Sequence, residues 1–531
     1  MASLGRASAL IAVGTLVSRV TGLLRAMVLV TAIGAIGEAS DAFTIANQLP
    51  NYVFQVISAG VLTAVIVPQV VQWSGHEDGG RAQLSKLFTL AAVLLFAVTA
   101  LSLVAAPLLV QVFGAQWSAD QHALATAFSY WCLPQVFFYG MFALIGETLN
   151  ARGVFGPYAW APIANNIVSI AGFLVFIQMF GARRNDVADW DPAMIAVLAG
   201  VATLGIVVQT AVLVAFWRRT RLHLRPDFRW RGMGLGRLGH LASWTFLMLL
   251  VGLGVSTVQQ MVISGASGQH ASATIWYNGW LLYMLPYSLV IMSIGTPYFT
   301  RLSGHAAAGQ DDLVRDDIRR STRVLSLFAV VSAAVVMAAS IPAVRIVADT
   351  RADAVAGAPV LIAFILALVP LAVQFIVQRT FYAYGDTRTP FFFTLAQASV
   401  AVLLTLAAQW LLPAELLAAG VALAQAVSSM VQVVLASWLL HRRLGTIGMS
   451  ETVWAIVRFS LAAMPAAAAG VGVFLLSGGT SGWMLAGMLQ GVLGTCTIGA
   501  VVGGVYLAIL ALFRTPELTP AFDMVRRLVR R

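Results

Sequence analysis

The chain has 531 residues, 60% of them hydrophobic and 10% charged, with a formal net charge of +11. A soluble globular chain is nearer a quarter charged, so the composition excludes an ordinary soluble enzyme and points to a polytopic α-helical membrane protein. The apolar runs are continuous and reach the roughly 20 residues a helix needs to cross a bilayer. The strands of a membrane barrel would instead alternate polar and apolar over about ten residues.

In chain order the predicted spans are 8–33, 41–72, 87–114, 122–149, 157–180, 193–217, 241–265, 273–300, 321–344, 356–384, 390–412, 416–440, 452–476 and 483–513. The second is long for one crossing and holds Pro50 and Pro68, which predicts a bend or an extension beyond the bilayer. No removable signal peptide is expected, because the apolar run from Ser8 meets Arg19 without a small-residue cleavage site.

Arginine bias sets the expected orientation. The loop 218–240 carries Arg218, Arg219, Arg221, Arg225, Arg229, Arg231 and Arg237 against Asp227 alone. The tail 514–531 carries five arginines against Glu517 and Asp523, whereas 181–192, on the other side, holds two arginines and three aspartates. An even span count then places both termini in the cytoplasm. The net positive charge reads as a topology signal and an attraction to anionic lipid. Nucleic acid is not an expected partner, because no extramembrane domain exists to bind it.

The chain also repeats. Leu49-Pro50 followed by Ser58-x-Gly60 matches Leu285-Pro286 followed by Ser293-x-Gly295, at offsets of 236 and 235. Asn150-Ala-Arg-Gly-Val-Phe-Gly-Pro157 and Ala383-Tyr-Gly-Asp-Thr-Arg-Thr-Pro390 hold equivalent places before a new helix. Spans one to six therefore correspond to spans seven to twelve. The expected fold class is an all-α polytopic membrane protein of about 14 transmembrane helices, with two parallel-related six-helix lobes plus two C-terminal helices. The expected divisions are 1–220, 221–445 and 446–531, the last ending in a basic cytoplasmic tail. Such repeats are a transporter signature, with substrate bound near the midplane. Spans thirteen and fourteen lie outside the repeat.

Little else in the chain suggests chemistry. Cys132 and Cys496 fall inside apolar segments and read as small buried hydrophobes. The histidines are scattered, and the residues before Lys86 are Gln83-Leu84-Ser85, so there is no nucleotide-binding P-loop. No catalytic residue, metal or cofactor is expected.

Several segments together do resemble one family: Ser18-Arg-Val-Thr-Gly-Leu-Leu-Arg25, Asp41-Ala-Phe43, Leu49-Pro-Asn51, Asn150-Ala-Arg-Gly-Val-Phe-Gly-Pro157, Trp160-Ala-Pro-Ile-Ala-Asn-Asn166 and Phe381-Tyr-Ala-Tyr-Gly-Asp-Thr-Arg-Thr-Pro390. The combination resembles the MviN/MurJ-type lipid II flippases of the multidrug/oligosaccharidyl-lipid/polysaccharide exporter superfamily, over essentially the whole chain. The resemblance implies a flippase of the bacterial cytoplasmic membrane. Such a protein carries undecaprenyl-pyrophosphate-linked disaccharide-pentapeptide outward by alternating access, for peptidoglycan synthesis and cell shape. Implied partners are that lipid-linked precursor, membrane lipids, and cell-wall synthesis or division proteins. Spans thirteen and fourteen, by the same resemblance, form a groove for the polyprenyl tail.

The resemblance also implies a substrate site. Arg19 and Arg25 match the family's two arginines in span one, and Asp41 its acid at the start of span two. The family's aspartate after the second arginine is here Ala26, and two further family arginines align with Phe54 and Leu281. Physically, Arg19 lies about 17 Å into its helix from Ser8 at 1.5 Å per residue. A charge at that depth costs about 2.5–3.5 kcal/mol on insertion scales, so it needs an anion: Asp41 or a substrate phosphate. Arg25 is about 9 Å further along and roughly 120° around the helix, so the two do not share a face unless Gly22 bends it. A guanidinium forks onto phosphate oxygens and stays charged. Asp41 positions an arginine or caps a helix opening at Ser40-Asp41.

Other polar residues read structurally: Glu147 as a helix-end carboxylate, Asn165 and Asn166 as interhelical hydrogen-bonders, and Gly385-Asp-Thr-Arg-Thr-Pro390 as a turn and cap. Trp276, Tyr277, Trp280 and Tyr283 read as packing residues or a sugar-facing wall. Two competing functions stay open: a cation-coupled drug antiporter of the same superfamily and a non-transport scaffold for envelope synthesis. The first would want deep acidic residues, and the second leaves Arg19 without a purpose.

Overall fold

The computed structural model describes residues 2–58, 80–154, 156–220, 224–229 and 239–517. Among these residues the chain is almost entirely helical, without a strand, and thirteen helical segments are long and apolar enough to cross a membrane. Chain contacts divide the protein into two units, Met1–Gln269 and His270–Arg531.

The first unit contains α1 (Ala2–Ile33), α2 (Glu38–Ile57), α3 (Arg81–Val104), α4 (Ala106–Phe113), α5 (Ala119–Cys132), α6 (Gln135–Ala151), α7 (Gly156–Phe180), α8 (Pro192–Phe216) and α9 (Gly239–Ile263). The second contains α10 (Ala273–Pro286), a π-helical turn (Tyr287–Met292), α11 (Ser293–Ala307), α12 (Asp311–Ala338), α13 (Ser340–Arg345), α14 (Arg351–Ile365), α15 (Leu368–Ala383), α16 (Arg388–Leu411), α17 (Ala414–Leu444), α18 (Met449–Leu476) and α19 (Met488–Leu512). Helix α9, first of the second sequence repeat, packs on α2 and α4, so the division by contacts falls one helix later than the repeat.

The repeat is visible in the elements themselves. Both halves interrupt their third predicted span, at Ala105 and at Ala339, and their fourth, at Leu133-Pro134 and at Leu366-Ala367. The helices that open the two fourth spans share the same cap: Ser118 accepts from the Gln121 amide and Thr350 from the Asp353 amide. Gly153 and Gly385 each turn the chain with φ near +70° (76° and 71°), a conformation open to glycine without a Cβ penalty. In the second turn Asp386 accepts from the Thr389 amide at 2.9 Å and from its hydroxyl at 2.8 Å, as a capping aspartate should. Just before it, Tyr384 donates to Asp311 at 2.5 Å. Burial and that carboxylate push the Tyr384 phenol up to about 12, so it stays a neutral donor.

Small residues let helices approach. A Cβ on Gly172 would come within 2.0 Å of Val201, and one on Gly205 within 2.2 Å of Asn165 Oδ1, so α7 and α8 pack almost backbone to backbone. The two ends of the first unit differ in charge. Arg183 and Arg184 donate their amides to Thr31 and Ala32, and Asn185 accepts from the Ala39 amide, so this loop closes the α1–α2 connection. At the other end Arg225 and Asp227 donate their amides to Ser85 and Thr89 at the start of α3. There the hydrogen bond from Arg229 holds the Asp227 carboxyl below its usual range.

The structure refines three expectations. Predicted span 41–72 is described as far as Ser58, and its remainder lies outside the described residues. Helix α12 begins at Asp311 rather than 321: its first turns are charged, with Arg315 paired to Asp312 at 3.1 Å, so an apolar window misses them. Cys132 is buried, but Cys496 is exposed on α19, contrary to the buried reading. It lies in an apolar span, where an outward small residue meets lipid instead of protein.

The last two helices are fastened to the second unit along their length. Phe459, Ile498, Val502 and Tyr506 are fully buried in a core shared with Leu327 and Val330 of α12. At one end Arg345 and Arg351 donate to the Leu485 carbonyl at 3.1 and 3.3 Å, and Arg351 also to Ser481. At the other, Glu517 pairs with Arg458 at 2.7 Å and Arg323 at 3.9 Å.

Candidate substrate-binding site

Helix α1 organises the site. Gly14, Ser18 and Thr21 recur at helical spacing and form the stripe that meets α7. A Cβ on Gly14 would come within 2.9 Å of Trp160 Nε1. Asn166 Nδ2 donates to the Ser18 carbonyl at 3.1 Å and the Thr21 hydroxyl at 2.9 Å. The interhelical role expected of Asn166 is thus observed; Asn165 accepts from Ser169 within its own helix, facing Gly205. Gly22 introduces no break: α1 runs unbroken from Ala2 to Ile33.

Arg19 follows Ser18 and is therefore turned about 100° from the α7 stripe, whereas Arg25 continues that stripe one turn beyond Thr21. Both are half-buried, and among the described residues neither makes an ion pair or a hydrogen bond. The two guanidinium groups thus sit in an apolar helix with their donors unmet by any described residue.

Asp41 is 1% exposed, and its Oδ2 accepts from Ser267 at 2.6 Å. Gln121 Nε2 donates to the same serine at 2.8 Å and to the Glu38 carbonyl at 3.0 Å. The capping expectation is corrected: α2 opens at Glu38 after Gly37, Ser40 bonds back to Gly37, and Asp41 lies inside the helix. Among the described ion pairs, none joins Asp41 to Arg19 or Arg25. The structure brings Asp41 together with Ser267, and among the described residues the two arginines have no ion-pair partner.

The positions aligned with missing family arginines are apolar in environment as well as identity. Phe54 lies tilted against Tyr139, 5.8 Å between centroids, over a cluster of Leu84, Leu87, Ala91 and Leu144. Leu281 is half-buried on α10. The α10 aromatics pack on one another and on Phe364: Trp276 with Trp280, and Trp280 with Tyr283. Glu147 is half-exposed on α6 beside Tyr158.

Among solved structures, a "Lipid II flippase MurJ, inward closed conformation" superposes with a TM-score of 0.69 at 20% identity, covering 93% of this chain and 98% of that one. An inward-facing multidrug resistance MATE family transporter of the MOP superfamily follows the same fold with a TM-score of 0.60 at 13% identity, over 81% and 96%. The repeated bundle of membrane-length helices is therefore the fold of that transporter superfamily. The family model for "Lipid II flippase MurJ" matches residues 29–494, and the chain belongs to this family. Curated relatives agree. The probable lipid II flippase MurJ of Haemophilus influenzae is 26% identical, over 71% of this chain and 75% of its own length. That of Synechocystis is 23% identical over 97% and 96%.

Proposed function

We propose that this chain moves undecaprenyl-pyrophosphate-linked disaccharide-pentapeptide from the inner to the outer leaflet by alternating access, with Arg19 and Arg25 meeting the pyrophosphate. Family membership supports the substrate class. The observation that carries the site is the pair of guanidinium groups on α1 with no protein partner among the described residues. Each offers a planar fork of donors matched to phosphate oxygens, and their different directions on α1 suit successive positions of a moving head group. Asp41, held by Ser267, sets the start of α2 and is assigned to positioning rather than to phosphate contact.

The protein acts as a multi-pass carrier of the bacterial cytoplasmic membrane and not as an enzyme. The basic run at 218–229, set against the acidic 186–191 segment at the other end of the first unit, supports cytoplasmic termini. The lobes are assigned as 1–220 and 221–445, with α18 and α19 handling the polyprenyl tail. The assignment is tested by reconstituting the chain in liposomes with lipid II and following head-group accessibility on each face. Outward appearance that depends on Arg19 and Arg25 supports it. Transport of a cationic drug with no movement of lipid II would favour an antiporter.

A further inference from the structure

We propose that Arg379 is a further phosphate-binding residue, which takes the pyrophosphate of the lipid-linked substrate on the second unit; this rests on the flippase reading above. Arg379 lies on α15, one turn before that helix ends at Ala383, and is half-buried. Its guanidinium carbon is 4.3 Å from the ring centroid of Phe375 and 4.9 Å from that of Phe299 on α11. Phe375 is itself fixed: it is 7% exposed and fills the space beside Gly295, where a Cβ would come within 2.4 Å of its ring.

A cation over a ring face is attracted by the ring quadrupole and spends none of its N–H donors on a hydrogen-bond acceptor. Among the described residues Arg379 makes no ion pair and no hydrogen bond. The rings therefore hold a charged fork in place without satisfying it. One turn along the same helix from Gln378, next to Arg379, stands the Tyr382 hydroxyl. Tyr382 Oη accepts from Gln378 Nε2 at 2.7 Å, which leaves its own proton to donate. The cluster is rich in donors and offers no carboxylate, which is the chemistry of an oxyanion site.

The fold does not require a cation there. The equivalent helix of the first unit, α6 (Gln135–Ala151), holds no arginine or lysine anywhere along its length. One repeat builds this helix without a cation and the other places a guanidinium in it, so the charge belongs to function more than to packing. A phosphate on this fork can belong to the pyrophosphate of the lipid-linked precursor or to an anionic phospholipid headgroup. Pyrophosphate is the assignment, because the proposed substrate offers two adjacent phosphates whose oxygens match a planar guanidinium fork.

The test uses the full chain in nanodiscs of zwitterionic lipid, titrated separately with lipid II and with phosphatidylglycerol, for wild type, Arg379→Ala and Arg379→Lys. Losing a charge-assisted fork should weaken lipid II binding about tenfold or more in Arg379→Ala. Arg379→Lys should recover only part, since an ammonium lacks the planar fork. Phosphatidylglycerol binding should change little. Wild-type affinity for lipid II in folded Arg379→Ala overturns the proposal, and so does a loss confined to phosphatidylglycerol. If Arg379→Ala does not fold, Arg379→Lys decides, and unchanged lipid II affinity there overturns it equally. A wild-type chain that binds no lipid II fails the flippase reading itself, a result distinct from a failure at Arg379.

Discussion

Ser267 Oγ donates a 2.6 Å hydrogen bond to Oδ2 of Asp41, tying the segment after α9 to the first turns of α2. Gln121 of α5 completes the knot by donating to the same serine. Asp41 is buried, so its carboxylate is satisfied by protein partners, Ser267 among them, rather than by water. A charge-assisted bond of this kind contributes about 1.5–3 kcal/mol, more where the acceptor is buried than where water can replace the donor. Ser267→Ala should therefore lower the apparent melting temperature by several degrees. Ser267→Ala and Asp41→Asn combined should lower it by clearly less than the sum of the two single changes. Additive effects would show that the two residues are not coupled.

Glu517 should matter more than Glu451. Both face Arg323, but Glu517 is nearly buried and also holds Arg458, whereas Glu451 is more than half exposed at 3.6 Å. Breaking a buried pair leaves a charge uncompensated, while an exposed pair contributes about 0–1 kcal/mol. Glu517→Gln should lower the melting temperature by several degrees and Glu451→Gln by little. Equal effects would contradict the role given to the Glu517 cluster in fastening α18 and α19.

Removing α18 and α19 by truncation after His441 should destabilise the second unit and not leave it intact. Arg345 is buried and would lose the Leu485 carbonyl it bonds to, and Leu327 and Val330 would lose their packing against Phe459 and Tyr506. The check is protease resistance of the truncated chain in liposomes. A truncation that resists proteolysis as the full chain does would show that the last two helices are an independent appendage.

Reporter fusions within 224–229 and after Glu517 should report the cytoplasm, and fusions within 186–191 the outside. The basis is the separation of the arginine-rich and aspartate-rich segments to opposite ends of the first unit. Opposite faces for the first and second sites would break the even span count and with it the parallel repeat.

Much of this was legible in the sequence because lipid imposes few solutions. Long apolar runs had to be helices, and the Gly385-Asp-Thr-Arg-Thr-Pro390 segment carried its turn and cap chemistry openly. The helix interruptions at Ala105 and Ala339 were not legible, since apolarity continues across them. The charged start of α12 was missed for the opposite reason, as its helix outlasts its apolar stretch. Arg19 and Arg25 stood out as charges in an apolar run. Their lack of partners among the described residues, and the bond from Ser267 to Asp41 across more than two hundred residues, depend on tertiary packing. Arg379 lay too near a span end to look unusual until its approach to the rings of Phe299 and Phe375 was visible.

The most direct test of the account is lipid II flipping in liposomes by wild type, Arg19→Ala, Arg25→Ala and Arg19→Lys, each checked for folding by melting temperature. A lost charge-assisted fork is a factor of about ten or more. Arg19→Ala should flip at a tenth of the wild-type rate or less, with Arg19→Lys recovering only part and Arg25→Ala reduced as well. Well-folded Arg19→Ala and Arg25→Ala variants that both bind and flip lipid II at the wild-type rate would contradict the pyrophosphate site on α1.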